Sequence, residues 1–486
     1  MFSLPIVLAI SPFILFLVLL LWKRVPLIFV SAITLLLIIA LALVFWQVFP
    51  NYIIGSLIKG FLVALDIFFI IFGAIFFLEI MRESKIIENI SFYLESVSKD
   101  IRIQVIFLAW FLENFLEGTA GFGTPSTVVA PLLVGLGINP INAVIIALLG
   151  NSSSVVFGAA GTPIRVGLGD LATATLPLTA AMINLIGIIV PVFILWFLVG
   201  GRQNGKKLFW EALPFAIWCG IAFSIPSILT VPLGQEFPSI LGAIIGLGIV
   251  LVTTKLKIFT PKNVEYQAAE RIGVASLPIL KVIFPYVLLI VLLVAGKFLI
   301  GATVYFNPGF AFILAGILTL GIFGLGKDFF ISSAKLALKR SIEPFLVIAF
   351  MSTIAQIMVN SAHNYSGLAS MIDFMAVHVK NVLLPLWAPA VGAFGSFLTG
   401  SATVSNLMFG NFLALAAKSL GFAVDKILAL ALVGAAAGNM IALADIIAAE
   451  AVVGLKNEES KILRGVIIPC AIYVILIGIV GLILTR

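Results

Sequence analysis

Long apolar runs recur along this chain, and each is long enough to cross a lipid bilayer as a helix. About 20 residues of helix span the hydrocarbon core, which is about 30 Å thick. Because 62% of the residues are apolar and only 10% are charged, no water-soluble fold could bury this much hydrocarbon. The sequence therefore predicts an all-α polytopic membrane protein with about 12 transmembrane helices. Ten apolar runs lie at 4–22, 25–49, 53–81, 177–199, 209–231, 237–254, 277–300, 308–326, 341–361 and 464–484. Two broken spans, at 138–170 and 425–450, complete the number.

Lysine and arginine concentrate in alternate connections between these runs. The basic connections carry 21 of the 28 basic residues and lie at 23–24, 82–102, 202–207, 255–281, 327–340 and 456–464. The opposite connections carry none and lie at 47–52, 171–176, 232–236 and 301–307. Because positively charged loops stay in the cytoplasm, we expect both termini to be extracytoplasmic. The net charge of +7 then reflects loop orientation, and no nucleic-acid partner is expected.

Other sequence signals are weak. The first run lacks a basic segment before it and is followed by Lys23 and Arg24, so we expect a retained span rather than a cleaved signal peptide. Cys219 and Cys470 lie within apolar segments, which predicts no disulfide framework. Two histidines cannot support a metal cluster, and neither a metal nor another cofactor is expected. The sequence gives no prediction of the oligomeric state.

The charge pattern restricts how the polar, glycine-rich stretches cross the membrane. It requires two re-entrant hairpins, each entering and leaving on one face, and two broken spans that follow them. We therefore divide the chain into N-terminal scaffold spans, a first repeat, connecting scaffold spans and a second repeat. These are 1–52; 53–200 with hairpin 102–136 and broken span 138–170; 201–340; and 341–486 with hairpin 382–421 and broken span 425–450.

An internal repeat supports this division. A shift of about 282 positions lays FLEG (115–118) on FLTG (397–400), and a nearly equal shift lays 136–150 on 420–434. Both halves have the order span, interfacial helix, hairpin, broken span, span. The first interfacial stretch is rich in Lys and Arg and the second is not, so the two copies are expected to face opposite sides. This predicts an inverted-topology repeat, in which interrupted helices from both copies meet near the midplane.

The first hairpin turns in the run GTAGFGTPS (118–126). Glycines let the backbone approach a ligand closely, and a half-helix N-terminus attracts an anion without a full cation. The alternative is that small residues merely pack helices together. We favour a substrate site because two breaks in one half match two in the other. The candidate substrate-binding residues are Gly118, Thr119, Gly121, Phe122, Gly123, Thr124, Ser152, Ser153, Arg165, Thr399, Gly400, Ser401, Thr403, Ser405, Asn406 and Asn439, and Ser126 adds a hydroxyl at the first tip.

Glu117 immediately precedes the first tip. A carboxylate at bilayer depth costs about 3 kcal/mol unless it is protonated or paired, which makes Glu117 the leading candidate for a proton carrier. Alternatively, it caps the amides of the tip or pairs with a basic side chain. Glu113, one turn earlier on the same helix face, could share a proton with it. Asp445 is the second candidate for proton coupling, although it could equally be a satisfied carboxylate at a helix end.

Arg165 follows the first break and could clamp a substrate carboxylate with two hydrogen bonds. It could equally form a structural ion pair with Asp170 or Glu117. In the third apolar run, Asp66 and Glu79 are expected to be partners of Lys59 and Arg82, respectively. These four charges are expected to be structural.

Several motifs resemble the signature blocks of the L-lactate permease family. They are FLEGTAGFGTP (115–125), PLLVGLGINP (131–140), FGAAGTPI (157–164), GSFLTGSATVSNLMFG (395–410) and AGNMIALADIIAAEAVVGLKNEES (437–460). The resemblance implies a permease of the prokaryotic cytoplasmic membrane that takes up lactate, glycolate and related 2-hydroxy monocarboxylates with a proton. It also supports Glu117, Gly118, Gly121, Phe122 and Gly123 in the first tip, and Gly400, Ser401, Ser405 and Asn406 in the second.

Two departures from the family pattern keep alternatives open. The family usually has a polar run where this chain reads IALAD (441–445), and Arg165 replaces a usually apolar residue. A sodium-coupled di- or monocarboxylate carrier of similar hairpin architecture is therefore the main alternative. A channel or an intramembrane enzyme is a remote one. We do not expect an enzyme, because no serine or cysteine nucleophile has a plausible histidine base.

Overall fold

The computed structural model is helical and describes residues 4–22, 25–121, 123–202, 204–262, 277–300, 306–377 and 382–485. Within these ranges no β-strand forms, and nine helices are long and apolar enough to cross a membrane. A bent pair, Pro140–Gly150 with Ser153–Leu171, would make a tenth span. The expectation of an all-α membrane protein is confirmed, and the number of about 12 spans stays a prediction.

The N-terminal part and the first repeat follow one another without a long loop. The N-terminal helices are α1 (Leu4–Leu17), which continues as a π-helix (Val18–Trp22), and α2 (Leu27–Val44). The next helices are α3 (Pro50–Glu83), α4 (Ile86–Ser96), α5 (Ile101–Ile106), a π-helix (Phe107–Leu112), α6 (Glu113–Thr119), α7 (Thr124–Gly135) and α8 (Pro140–Gly150). After the break come a 3-10 turn (Ser153–Phe157), α9 (Gly158–Thr162), a π-helix (Pro163–Leu168), a 3-10 turn (Gly169–Leu171), α10 (Leu176–Ile183), a 3-10 stretch (Asn184–Ile189) and α11 (Val190–Val199).

The connecting helices and the second repeat complete the chain. The connecting helices are α12 (Gly205–Thr230), a 3-10 turn (Val231–Leu233), α13 (Pro238–Lys255), α14 (Ile279–Ala295), a π-helix (Gly296–Ile300) and α15 (Pro308–Ile322). The second repeat contains α16 (Lys327–Asn360), α17 (Met371–Val377), α18 (Leu384–Thr399), α19 (Ala402–Ser419), α20 (Val424–Asn439), α21 (Leu443–Val452) and α22 (Glu459–Leu484).

Helices α3 and α16 occupy the same place in the two halves, and they pack against each other in opposite directions. Near one end, Asn360 Nδ2 donates a hydrogen bond of 3.0 Å to Ser56 Oγ. Near the other end, Glu79 pairs with Arg340. Early residues of one helix therefore meet late residues of the other. Opposite directions of equivalent helices are what an inverted repeat predicts.

Each hairpin also packs on the broken span of the other half. Helix α7, the returning arm of the first hairpin, packs on α21, which follows the break in the second half. Helix α19, the returning arm of the second hairpin, packs on the π-helix Pro163–Leu168, which follows the break in the first half. Each broken span is therefore covered by the hairpin of the other half.

The predicted basic connection at 327–340 is helical rather than a loop, because α16 already begins at Lys327. The boundary drawn between 340 and 341 thus falls inside a helix. Lys and Arg are good helix formers, and Asp328 in the first turn is favoured by the helix dipole. The amphipathic stretch can therefore extend the apolar span into water without a loop.

Arg102 anchors the start of the first hairpin. It lies in the predicted cytoplasmic connection 82–102, but its side chain is fully buried. Its guanidinium contacts Asp100 at 2.6 Å and Glu211 of α12 at 3.1 Å, and it donates to the Leu208 carbonyl oxygen at 3.0 Å. Paired and hydrogen-bonded in this way, a buried guanidinium can offset the cost of leaving water.

Candidate functional site

The first hairpin turns between α6 and α7 with left-handed glycines. Gly121 and Gly123 have φ angles of 59° and 71°, a region that favours glycine because it has no Cβ. A Cβ on Gly123 would overlap Asp445 Oδ1, so this tip touches the second half directly. Pro125 follows within the first turn of α7, where a missing N–H has no cost. Phe122 lies outside the described residues.

The second hairpin turns between α18 and α19. Gly400 is left-handed, with a φ of 68°, and Ser401 is the N-cap of α19. Its side chain accepts a hydrogen bond of 3.4 Å from the Val404 amide, which leaves the other amides of the first turn without helical partners. The N-terminus of an 18-residue helix therefore begins at the turn of this hairpin.

The break in the first broken span contains consecutive left-handed residues. Ala159, Ala160 and Gly161 have φ angles of 42°, 53° and 80°. Each alanine costs about 1–2 kcal/mol in this conformation, so the surroundings must hold the backbone there. A Cβ on the preceding Gly158 would overlap Glu117 Oε1, which shows how closely the first hairpin packs on the break.

The break and the second tip are joined by polar contacts. Thr403 Oγ1 donates to Thr162 Oγ1 at 3.4 Å, and Asn406 Nδ2 donates to the Pro163 carbonyl oxygen at 2.9 Å. Between them lies a cavity of about 20 Å³, which has room for about one water molecule. It is lined by Glu117, Val155, Gly158, Ala159, Thr162, Pro163, Gly400, Ser401, Ala402, Thr403 and Asn439.

Glu117 lines this cavity, and two more carboxyl groups are buried, Glu113 one turn earlier in the first hairpin and Asp445 against Gly123. Ser126 Oγ donates to Glu113 Oε1 at 2.8 Å, and Asn439 Nδ2 donates to Asp445 Oδ2 at 3.1 Å. Glu117 Oε2 has no hydrogen-bond partner among the described residues. Glu117 and Asp445 both border the first tip: the Cβ position of Gly121 lies 3.3 Å from Glu117 Oε1, and that of Gly123 overlaps Asp445 Oδ1. The cavity wall contains no lysine or arginine from the described part of the chain.

The structure brings only some of the predicted site residues together. Glu117, Gly400, Ser401, Thr403 and Asn439 line the cavity. Several predicted hydroxyls instead donate to backbone carbonyl oxygens of their own hairpin or span, mostly three or four residues earlier, which is the usual back-bonding of Ser and Thr in helices. These are Thr119, Thr124, Ser152, Thr399 and Ser405. Three others do not line the cavity. Gly118 packs on Ile240, Ser153 lies beside Tyr473, and Asn406 donates to the carbonyl oxygen of Pro163, which does line it.

Arg165 forms a structural ion pair, but with other partners than the two considered from the sequence. Its guanidinium contacts Asp66 at 3.7 Å and Glu236 at 3.8 Å, rather than Asp170 or Glu117. Asp170 pairs instead with Lys59, at 3.0 Å. The broken span and the third apolar run lie side by side in the fold, and a pairing between segments so far apart in sequence leaves no local signal.

The partner expected for Glu79 is also wrong. Glu79 forms its ion pair with Arg340 of α16 rather than with Arg82. The antiparallel packing of α3 on α16 brings these two side chains together, although they are 261 residues apart in sequence.

Sequence reasoning missed Thr162 and Gly158 as cavity residues, and it missed the pairing of Ser126 with Glu113. The sequence Gly-Thr-Pro (161–163) at the end of the break could have indicated that Thr162 lies at the site. Glu113 and Ser126 are nearly equidistant from the turn, so the two arms of a hairpin that turns near 120 bring them face to face. The role of each site residue stays a prediction.

Comparison with known proteins identifies the family. The L-lactate permease family model matches residues 5–301 and 295–486. The chain is 28% identical to the L-lactate permease of Salmonella typhi over 92% of this chain and 90% of that protein. It is 27% identical to the glycolate permease GlcA of Escherichia coli over 93% and 90% of the two chains. In fold it is similar to the Alcanivorax borkumensis YdaH transporter, with a TM-score of 0.51 at 14% identity over 94% and 97% of the two chains. The chain therefore belongs to the L-lactate permease family.

Proposed function

We propose that this protein is a secondary active transporter of the prokaryotic cytoplasmic membrane that takes up L-lactate, glycolate or a related small 2-hydroxy monocarboxylate together with a proton. The printed names of its relatives support the substrate class. The observation that carries the coupling mechanism is the burial of Glu117 in a cavity between the broken span of one half and the hairpin tip of the other. The charge of the connections supports extracytoplasmic termini.

The cavity suits a carboxylate although none of its lining residues in the described ranges is a cation. The N-terminus of α19 provides backbone amides and the positive end of a helix dipole, which favour an anion. The hydroxyls of Ser401 and Thr403 can add hydrogen bonds. These neutral donors bind a small anion more weakly than an arginine clamp would, so the anion can also leave.

Protonation of Glu117 would remove a negative charge from this site and add an O–H donor for the substrate. A buried carboxylate with an oxygen that has no hydrogen-bond donor is costly, and a second negative charge from the substrate would add to that cost. We infer that Glu117 carries a proton when the anion binds, and that its O–H then donates to the substrate carboxylate. Asp445 is our second candidate for a proton site, because it is buried beside Glu117.

The cavity must open before it can hold substrate. Its volume of about 20 Å³ accepts one water molecule, whereas lactate is several times larger. The second tip and the first break therefore have to separate during transport. Alternating separation toward one side and then the other is the general mechanism of carriers built from inverted repeats.

One lactate anion moving with one proton transfers no net charge. Membrane voltage then does no work, and each pH unit contributes about 1.4 kcal/mol, or about tenfold accumulation. In contrast, a sodium-coupled or multi-proton carrier would respond to voltage, at about 2.3 kcal/mol per charge for each 100 mV. The driving force therefore distinguishes the proposal from the sodium-coupled alternative.

The test is uptake of labelled L-lactate by purified protein in proteoliposomes, with the proton, sodium and voltage gradients imposed separately. We expect accumulation with a pH gradient alone. Glu117→Gln should lose pH-driven accumulation but retain exchange of internal for external lactate, because the amide keeps the shape without a titrating proton. Glu88→Gln, which changes an exposed carboxylate of α4, should behave as the parent.

Two results would contradict this proposal. Full pH-driven accumulation by Glu117→Gln would remove Glu117 from proton coupling. Uptake driven by a sodium gradient at constant pH would favour the sodium-coupled alternative.

A further inference from the structure

We propose that Arg165 is the centre of a gate that closes the cavity on the face of the protein that carries the 234–237 turn. The proposal does not depend on the identity of the substrate or the coupling ion. It rests on a group of ion pairs that joins the wall of the cavity to elements that do not line it.

Arg165 belongs to the π-helix Pro163–Leu168, whose first residue lines the cavity. The side chain of Arg165 does not line the cavity. It contacts Asp66 of α3 and Glu236 in the turn before α13. Nη2 also donates to the Phe306 carbonyl oxygen at 3.1 Å. None of these three partners lines the cavity. Arg165 therefore ties the wall of the cavity to surrounding helices.

The two acidic partners are held independently of Arg165. Asn307 Nδ2 donates to Asp66 Oδ1 at 2.8 Å, and Lys297 Nζ contacts Glu236 Oε2 at 2.6 Å. The contacts of Arg165 with the same two carboxylates are longer, at 3.7 and 3.8 Å. If Arg165 moves away, each carboxylate keeps a donor. The pairs can therefore open while Glu236 keeps a cation and the more exposed Asp66 keeps a hydrogen bond, as a gate that opens in every cycle requires.

The ion pair of Arg165 with Glu236 is more buried than an ordinary surface ion pair. The side chains of Arg165 and Glu236 are only 12% and 10% exposed. Lys59 and Asp170 also join α3 to the first broken span, but their side chains are 52% and 90% exposed. Exposed pairs contribute little because water and salt screen them. Loss of Arg165 should release the cavity wall, whereas loss of Lys59 should not.

The experiment measures access to the cavity without substrate. Cys219 and Cys470 are replaced by alanine, Ser401→Cys is added as a reporter in the cavity wall, and labelling by a hydrophilic thiol reagent is followed in nanodiscs, where both faces are open. In this background Arg165→Ala should raise the labelling rate about tenfold, which corresponds to about 1.4 kcal/mol of gate stability. Lys59→Ala is the matched control and should label at the parental rate.

Two further variants keep the test decisive if Arg165→Ala does not fold. The double variant Asp66→Asn with Glu236→Gln keeps Arg165 but removes both charges that face it, and it should also label faster. Arg165→Lys keeps a cation and should stay closer to the parent. Parental labelling rates in both the arginine variant and the double acid variant would overturn the gate. Equal acceleration by Lys59→Ala would also overturn it, because the effect would then not depend on burial.

Discussion

Gly123 provides a sharp test of the contact between the first tip and the second half. Its φ of 71° favours glycine, and a Cβ there would overlap Asp445 Oδ1. Gly421, in the turn between α19 and α20, has a similar φ of 74°, but no atom lies within 4 Å of its Cβ position. Both alanine variants therefore have the same backbone strain, and only Gly123→Ala displaces Asp445.

The magnitudes follow from these contacts. An alanine in the left-handed region costs about 1–2 kcal/mol, so both variants should lose about this much stability. Gly123→Ala should also break the 3.1 Å hydrogen bond between Asn439 and Asp445, which is worth about 1 kcal/mol and corresponds to about a fivefold change in a rate or binding constant. We therefore expect Gly421→Ala to transport nearly as the parent and Gly123→Ala to transport at least about fivefold more slowly.

The assay combines two measurements on each purified variant. Thermal unfolding in detergent reports the cost of backbone strain, and the initial rate of lactate uptake in proteoliposomes reports the effect on the site. Two results would refute the reasoning. One is Gly123→Ala with parental uptake, and the other is equal loss of uptake in both variants, because strain alone would then explain the defect.

Two further predictions concern buried polar groups. Arg102→Ala leaves two carboxylates without their cation and should cost about 3–5 kcal/mol, seen as loss of folded protein in size-exclusion chromatography, whereas Lys461→Ala removes an exposed pair and should cost less than about 1 kcal/mol. Ser126→Ala removes the hydroxyl that donates to Glu113 Oε1 and should lower the free energy of unfolding by about 1–3 kcal/mol, measured by chemical denaturation; an unchanged value would show that this hydrogen bond does not stabilise the hairpin.

Local patterns predicted the positions of the two hairpin turns well. The glycines of the first tip fall at the left-handed turn between α6 and α7, and Gly400 falls at the turn between α18 and α19. These positions could be predicted because a left-handed turn favours glycine and a returning helix favours a capping residue or an early proline. In contrast, the start of α16 could not be predicted, because a charged amphipathic helix and a basic loop have similar compositions.

Partners across the fold could not be predicted. Arg165 could be recognised as an unusual cation, but its partner Asp66 lies about 100 residues away in sequence and carries no signal of the pairing. Predicted hydroxyls such as Thr399 bond to the backbone of their own helix, and the sequence did not predict this either. Whether a hydroxyl faces a ligand or a carbonyl depends on the rotation of its helix, which composition does not determine.

The central claim is that substrate passes between the first break and the second tip, and a reversible cross-link tests it most directly. Thr162 Oγ1 and Thr403 Oγ1 are 3.4 Å apart, which is within reach of a disulfide after replacement of both threonines by cysteine. With Cys219 and Cys470 replaced by alanine, oxidation should join the two positions and stop lactate uptake, and reduction should restore it. A cross-linked protein that transports at the rate of its reduced form would contradict the account.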